Sequence, residues 1–143
     1  MIFSRQTGYA IRALVHLAQN ADQGALLANA IAKTENLPAP FLSKLLRDLS
    51  SNGFVSSSKG PGGGFTLLRK PDKIALYDVF ILFDGLTLAQ DCILGHGVCS
   101  DETACCVHQL WKSKKAEVEN FLKQTTIADL VKMRDKRPWV LRP

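Results

Sequence analysis

The stretch from Pro38 to Leu68 constrains the fold most, because its pattern changes there from helix to strand. Pro38 and Pro40 open a helix, where proline costs least because the first N–H groups lack intrahelical partners. Leu42, Leu45, Leu46 and Leu49 then form one apolar stripe, and Ser43, Lys44 and Arg47 fall on other faces. Asn52-Gly53 ends the helix. Phe54, Val55 and Ser56 suit a strand, Lys59 to Gly64 (KGPGGG) a turn, and Phe65 to Leu68 a returning strand. A glycine tip lets backbone amides approach a phosphate or fit a narrow groove, since no side chain intervenes. Lys59 at its base is placed to reach a minor groove. A phosphate-cradling nucleotide loop is disfavoured: no Gly-Lys-Ser/Thr follows and no helix begins there.

Upstream, Ser4 suits the cap of a first helix whose buried face is Ala10, Ala13, Leu14, Leu17 and Ala18. Asn20 to Gly24 reads as a turn, Leu27, Ala28, Ala30 and Ile31 as a short second helix, and Glu35, Asn36 and Leu37 as the next turn. Helix, turn, helix and basic hairpin together make a winged helix-turn-helix, with the helix-turn-helix at about 27–51 and the wing at about 54–69. The plainer alternative is a three-helix bundle with solvated charges and a flexible turn. Charge favours the first reading. The net charge is +5, and residues 1–70 carry all of it, with eight Lys/Arg against three Asp/Glu; residues 71–143 hold ten of each.

At 143 residues and 46% hydrophobic, the chain is long enough for one domain with a real core. No apolar run approaches the ~18 residues of a membrane span. The N-terminus alternates apolar with polar residues, unlike a signal peptide, so a cytoplasmic protein is expected. Structural disulfides are rare in that compartment.

Past Pro71-Asp72, Leu76, Val79, Phe80 and Phe83 suggest a fourth helix, stopped at Asp84-Gly85. A long helix is expected from about Cys105 through Gln124, its stripe running through Val107, Leu110, Trp111, Lys114, Val118, Phe121, Leu122 and Thr125. Trp111 and Phe121 are a heavy apolar load, which a second copy of the chain would bury in a homodimer. Packing onto its own winged helix is the alternative. Thr126 with Asp129 resembles a capping box for a last helix, Ile127 to Met133. The expected organisation is a DNA-binding module at 1–70, a connecting helix, cysteine segment (92–108) and dimerisation helix at 71–133, and a basic mobile tail at 134–143. The fold class is mainly α with a small β-hairpin.

All four cysteines, Cys92, Cys99, Cys105 and Cys106, lie between 92 and 108, with His96 and His108. The spacing is too loose for the paired knuckles of a usual zinc ribbon. Thiolates with an imidazole bind borderline and soft metals, zinc and iron–sulfur clusters above all. Cys105 and His108, three apart at a helix start, can face one site. Cys106 would point about 100° away and reads as a packed thiol rather than a ligand. His96 reads as an exposed loop residue, and His16 as a surface or core histidine. A closed zinc site, an iron–sulfur cluster and a bare thiol switch through Cys105 or Cys106 all remain open on spacing alone.

These motifs together resemble the Rrf-two family of bacterial winged-helix regulators, from Met1 to about Val131. The carriers are Tyr9 to Leu14, Phe41-Leu42 with Leu45-Leu46 and Leu49, Gly53-Phe54-Val55, Gly60 to Phe65, the spaced cysteines, and His108-Gln109-Leu110-Trp111. The resemblance implies a homodimer on a palindromic promoter site in double-stranded DNA. Pro40, Phe41, Ser43, Lys44 and Arg47 would meet the major groove, and Lys59, Gly60, Pro61 and Gly62 the minor groove and phosphates. It also implies an iron–sulfur cluster on Cys92, Cys99 and Cys105. Where the nitric-oxide-sensing branch has an acidic ligand this chain has Gly8, so His108, matching the ligand of the other branch, is favoured, with a [2Fe–2S] cluster. Cys106 stands where the family often has proline, and Ser43 where many members are acidic. The expected function is a promoter-binding repressor that senses cluster status, oxidants or nitric oxide. A zinc- or thiol-controlled regulator is the alternative, and a small redox or electron-transfer protein the second. An enzyme is not expected, because no nucleophile–base pair marks a substrate pocket. A winged helix that binds only protein is disfavoured by the basic wing.

Overall fold

Ser4 starts the first helix, α1 (Arg5–Gln19), by accepting a hydrogen bond from the Thr7 amide through Oγ at 3.3 Å. The structure is a computed structural model that describes residues 3–85, 90–95 and 97–137. The expected face of α1 is inside: Ala10, Ala13, Leu14 and Leu17 are buried, and Ala18 packs against them. The helix start is also clamped. Thr7 Oγ1 donates to Asp84 Oδ2 at 2.6 Å, and the Ser4 amide donates to the same carboxylate.

Helix α2 (Ala28–Glu35) and helix α3 (Ala39–Ser51) form the helix-turn-helix. Leu42, Leu45, Leu46 and Leu49 of α3 are all buried, as their spacing requires. Two local readings differ. Leu27 precedes α2 and is 62% exposed, because Leu26 beside it extends to pair with the wing. Glu35 is the last residue of α2 rather than part of the turn, and its side chain is fully buried. The turn itself is made by Asn36, in the left-handed region at φ 51°.

The wing is an antiparallel pair, β1 (Val55–Ser58) and β2 (Gly64–Leu67), in register Val55–Leu67 to Ser58–Gly64. Leu26 and Phe65 exchange backbone bonds at 3.0 and 2.8 Å, which fastens the wing to the segment before α2. A Cβ at Gly64 would sit 2.5 Å from the Leu26 carbonyl oxygen, so only glycine fits there.

Helix α4 (Leu76–Asp84) packs against α1 and the long helix α5 (His108–Gln124), and α6 (Ile127–Lys136) closes the described chain. Thr126 and Asp129 form the expected capping box. The junction of α5 and α6 is clipped to the start of α4, with Leu76 N–H donating to Thr125 at 2.9 Å and Ile127 N–H to Ile74 at 2.9 Å. Helix α5 begins at His108, three residues later than the periodicity suggested, since Cys105 to Val107 form a turn instead. Helix α6 runs on past Met133, so Arg134 to Lys136 of the expected tail are helical; residues 138–143 lie outside the described residues.

One core joins α1 to α4, the wing base, Leu122 of α5 and Ile127 of α6. Within α5 only His108 and Leu122 are buried, while Leu110 is 76% and Phe121 57% exposed. Among the described residues no helix is long and apolar enough to cross a membrane.

A second feature of the core is ionic. Glu35 Oε1 lies 2.8 Å from His16 Nδ1 of α1 and 2.8 Å from Arg134 Nη2 of α6. Arg12 donates to the Glu35 backbone carbonyl and stands 3.8 Å from its carboxylate. Burial pushes the Glu35 carboxyl up, but the bonds from His16 and Arg134, with their charges, hold it below its ordinary value. The knot ties α1, α2 and α6 together.

Candidate DNA-binding face and cysteine–histidine site

Two surfaces carry the residues singled out from the sequence. On the first, Pro40, Lys44 and Arg47 project from α3 into solvent, and Ser43 is half-buried. Phe41 is half-buried too, its ring edge-on to Tyr9 with centroids 5.8 Å apart. Lys59, Gly60, Pro61 and Gly62 form the exposed wing tip. Ser43 of α3, Gly60 of the wing and Asn29 of α2 line one cleft, so helix and wing open onto the same face. Asn29, a polar residue on this face, carried no sequence signal of its own.

The glycine run divides by role. Gly60 and Gly62 at the tip have open space around them, and both take positive φ. Gly63 and Gly64 are buried, and a Cβ at Gly63 would meet the Ser58 carbonyl oxygen at 2.5 Å. Half of the run is therefore internal packing rather than an approach surface. Arg69 sets the wing's base: it stacks 4.5 Å over Phe54 and donates to the carbonyls of Gly53 and Asn52 at the end of α3.

The second surface is the cysteine segment. It folds back on itself, with Asp91 bridged to Val98, Cys92 N–H donating to Gly97 at 3.0 Å and Cys99 N–H to Gln90 at 2.6 Å. Thr103 Oγ1 donates to the Val98 carbonyl, which turns the chain toward α5. Trp111 Nε1, one turn into α5, donates to the Asp91 carbonyl at 3.4 Å.

This path brings the expected ligands together as two pairs. Cys92 Sγ lies 4.0 Å from Cys105 Sγ, and Cys99 Sγ lies 3.3 Å from His108 Nδ1. Among the described residues no three such donors converge on one point. Cys105 faces Cys92 and precedes the helix that His108 opens, so Cys105 and His108 do not share a helix start. Cys106 is exposed, not packed, because the turn before α5 directs it outward. His96 lies outside the described residues.

His108 opens α5 and is 4% exposed. Its Nε2 lies 2.8 Å from Asp101 Oδ1, and Lys112 Nζ contacts both Asp101 oxygens at 2.8 Å. The Lys112 bond, then that of His108, holds the Asp101 carboxyl below its usual range. Asp101, His108, Lys112, Lys115, Ser100 and Cys99 line an open cleft of about 350 Å³. The sequence had not singled out Asp101.

The winged-helix fold recurs in known proteins. The family model described as an iron-dependent transcriptional regulator, Rrf2, matches residues 3–133. The chain belongs to the Rrf2 family. It is 41% identical over 138 residues to a sequence of Aquifex aeolicus (strain VF5) assigned as an HTH-type transcriptional regulator, covering 95% of each. It is 32% identical over 123 residues to the HTH-type transcriptional regulator IscR of Klebsiella pneumoniae (strain 342), covering 86% of this chain and 75% of IscR. In structure it resembles CymR (YrzC), the global cysteine regulator of B. subtilis, with a TM-score of 0.79 and 25% identity over 92% of this chain and 96% of CymR. T. potens IscR shares the fold at a TM-score of 0.74 and 24% identity, covering 97% and 92%. As an Rrf2 protein the chain is a winged-helix, DNA-binding transcriptional regulator.

Proposed function

We propose that this Rrf2 protein is a homodimeric repressor whose promoter binding is set by a [2Fe–2S] cluster on Cys92, Cys99, Cys105 and His108. The two-by-two arrangement carries this reading, with Cys92 and Cys105 at 4.0 Å and Cys99 and His108 at 3.3 Å. A binuclear cluster takes two protein ligands on each iron, whereas a single zinc ion draws four donors to one point. The donor set fits, since thiolates with an imidazole suit such iron. When bound, the cluster supplies a redox-active centre sensitive to oxidants, nitric oxide and cluster supply.

The chain's own residues supply the rest. Cys92 and Cys105 hold one end of the site; Cys99 and His108 hold the other. The Trp111–Asp91 bond ties the loop to α5, so the loop's conformation bears on that helix. The exposed Leu110 and Phe121 of α5 would pack against a second copy. Pro40, Phe41, Ser43, Lys44 and Arg47 would then enter the major groove, with Lys59, Gly60, Pro61 and Gly62 at the minor groove and phosphates.

The test is a visible spectrum with iron, sulfide and zinc analysis on protein purified without oxygen. Charge-transfer bands that bleach with nitric oxide or air, at about two irons per subunit, support the reading. Cys99→Ala should then lose the bands and change DNA affinity. Stoichiometric zinc without colour replaces the sensor with a structural staple.

The Cys92–Cys105 approach also favours a second reading, a thiol-controlled regulator. One hydrogen peroxide would take two electrons and the two thiol protons from Cys92 and Cys105, breaking its O–O bond to give two waters as the S–S bond forms. A metal-free protein that takes up no cluster but loses two thiols to peroxide would select it.

A further inference from the structure

We infer that Asp101 is a positioning residue that presents His108 to the cluster through Nδ1, and that Lys112 holds Asp101 in that role. The inference rests on the ligand assignment above.

An uncharged imidazole has one nitrogen that donates and one that accepts. An ionised carboxylate only accepts, so the 2.8 Å contact of His108 Nε2 with Asp101 Oδ1 puts the hydrogen on Nε2. The lone pair is then on Nδ1, the nitrogen 3.3 Å from Cys99 Sγ. The ring is buried while Asp101 sits at the rim, so the carboxylate reaches it only from the outer side. Asp101 cannot swing away freely, because Lys112 Nζ meets both its oxygens at 2.8 Å. The lysine lies one helical turn beyond His108 on the same face of α5. Ligand, carboxylate and lysine thus form one chain of contacts from the site into the helix. Groups that orient a ligating histidine this way fix its tautomer and raise its basicity.

The experiment compares wild type, Asp101→Ala, Asp101→Asn, Lys112→Met and His108→Ala. In metal-free, reduced protein at a pH where the ring is uncharged, long-range proton–nitrogen NMR reports which His108 nitrogen carries hydrogen. Wild type should show Nε2–H alone, and Asp101→Ala a mixture of the two forms. After anaerobic reconstitution with iron and sulfide, Asp101→Ala should lose iron to a chelator roughly 10–100-fold faster. Its visible bands and reduction potential should shift as well. Asp101→Asn, whose amide oxygen still accepts from Nε2–H, should recover part of both effects. Hydrogen on Nδ1 in wild type overturns the inference. So does an Asp101→Ala protein with wild-type spectrum, potential and iron retention. If His108→Ala loads with unchanged bands, or wild type takes up no iron and sulfide, the cluster assignment itself fails and this inference with it.

Discussion

Glu35 and Asp101 each meet a histidine nitrogen at 2.8 Å, and their surroundings are opposite. The Glu35 side chain is 0% exposed and faces Arg12, His16 and Arg134 from two other helices. The Asp101 side chain is 67% exposed and faces His108 and Lys112 at a cleft rim. A buried carboxylate has lost its water, so its partners must offset a desolvation cost of several kcal/mol. Taking one away leaves an uncompensated charge inside. Water screens the rim carboxylate, so its contacts add little to stability and act on orientation instead. The same pair of residue types therefore does architectural work in one place and, by the inference above, aligns a ligand in the other, and burial separates the two.

Glu35→Ala should break the contrast most visibly. It strands Arg12 and Arg134 beside a cavity, and the expected loss is about 3–5 kcal/mol of unfolding free energy, read as a lower urea midpoint. Asp101→Ala should leave that midpoint in place. Equal midpoints for both variants would erase the distinction drawn here.

Acid sharpens the same comparison. The folded Glu35 carboxyl titrates below its ordinary value of 4.5. Its contribution is thus fully present above that value and is lost as pH falls through the lower, folded one. His16, Arg12 and Arg134 are the groups that face it. The urea midpoint of wild type should fall below about pH 4.5, and the Glu35→Gln protein, weaker at neutral pH, should lose that part of the slope.

The difference in legibility between the two pairs has a physical source. The leucines of α3, the Ser4 cap and the Thr126–Asp129 box follow from contacts within a few residues, and each stands where its spacing put it. Glu35 joins Arg134 across 99 positions and His16 across 19, so no local pattern marks it. Next to Asn36 it looks like a polar turn. Asp101 failed to register for another reason: its role depends on which side of His108 it meets, and that is set by the Thr103–Val98 bond that turns the loop. The glycines of the wing were visible, but their division was not. That Gly63 and Gly64 face backbone at 2.5 Å is a matter of strand and Leu26 placement.

The winged face supplies charges that belong to neither pair. Arg47→Ala and Lys59→Ala should each weaken promoter binding at all sequences that share the site's shape. Each should also reduce the slope of log affinity against log salt by roughly one. Neither should move the urea midpoint or the iron content. An unchanged affinity for Lys59→Ala at physiological salt would remove the wing tip from the interface, leaving α3 to account for binding.

Lys112→Met should have the smallest effect, and for that reason it isolates orientation from stability best. Its natural control is Lys114, which meets Glu117 at 2.9 Å on the same helix with similar exposure. As exposed ion pairs the two are alike, and neither substitution should shift unfolding measurably. Of the two lysines, Lys112 contacts Asp101, the carboxylate inferred above to orient His108. Its removal should speed iron loss by less than about tenfold, while Lys114→Met leaves it unchanged. Equal rates for both variants would mean that Asp101 keeps its place by the loop alone, and the chain of contacts would end at the carboxylate.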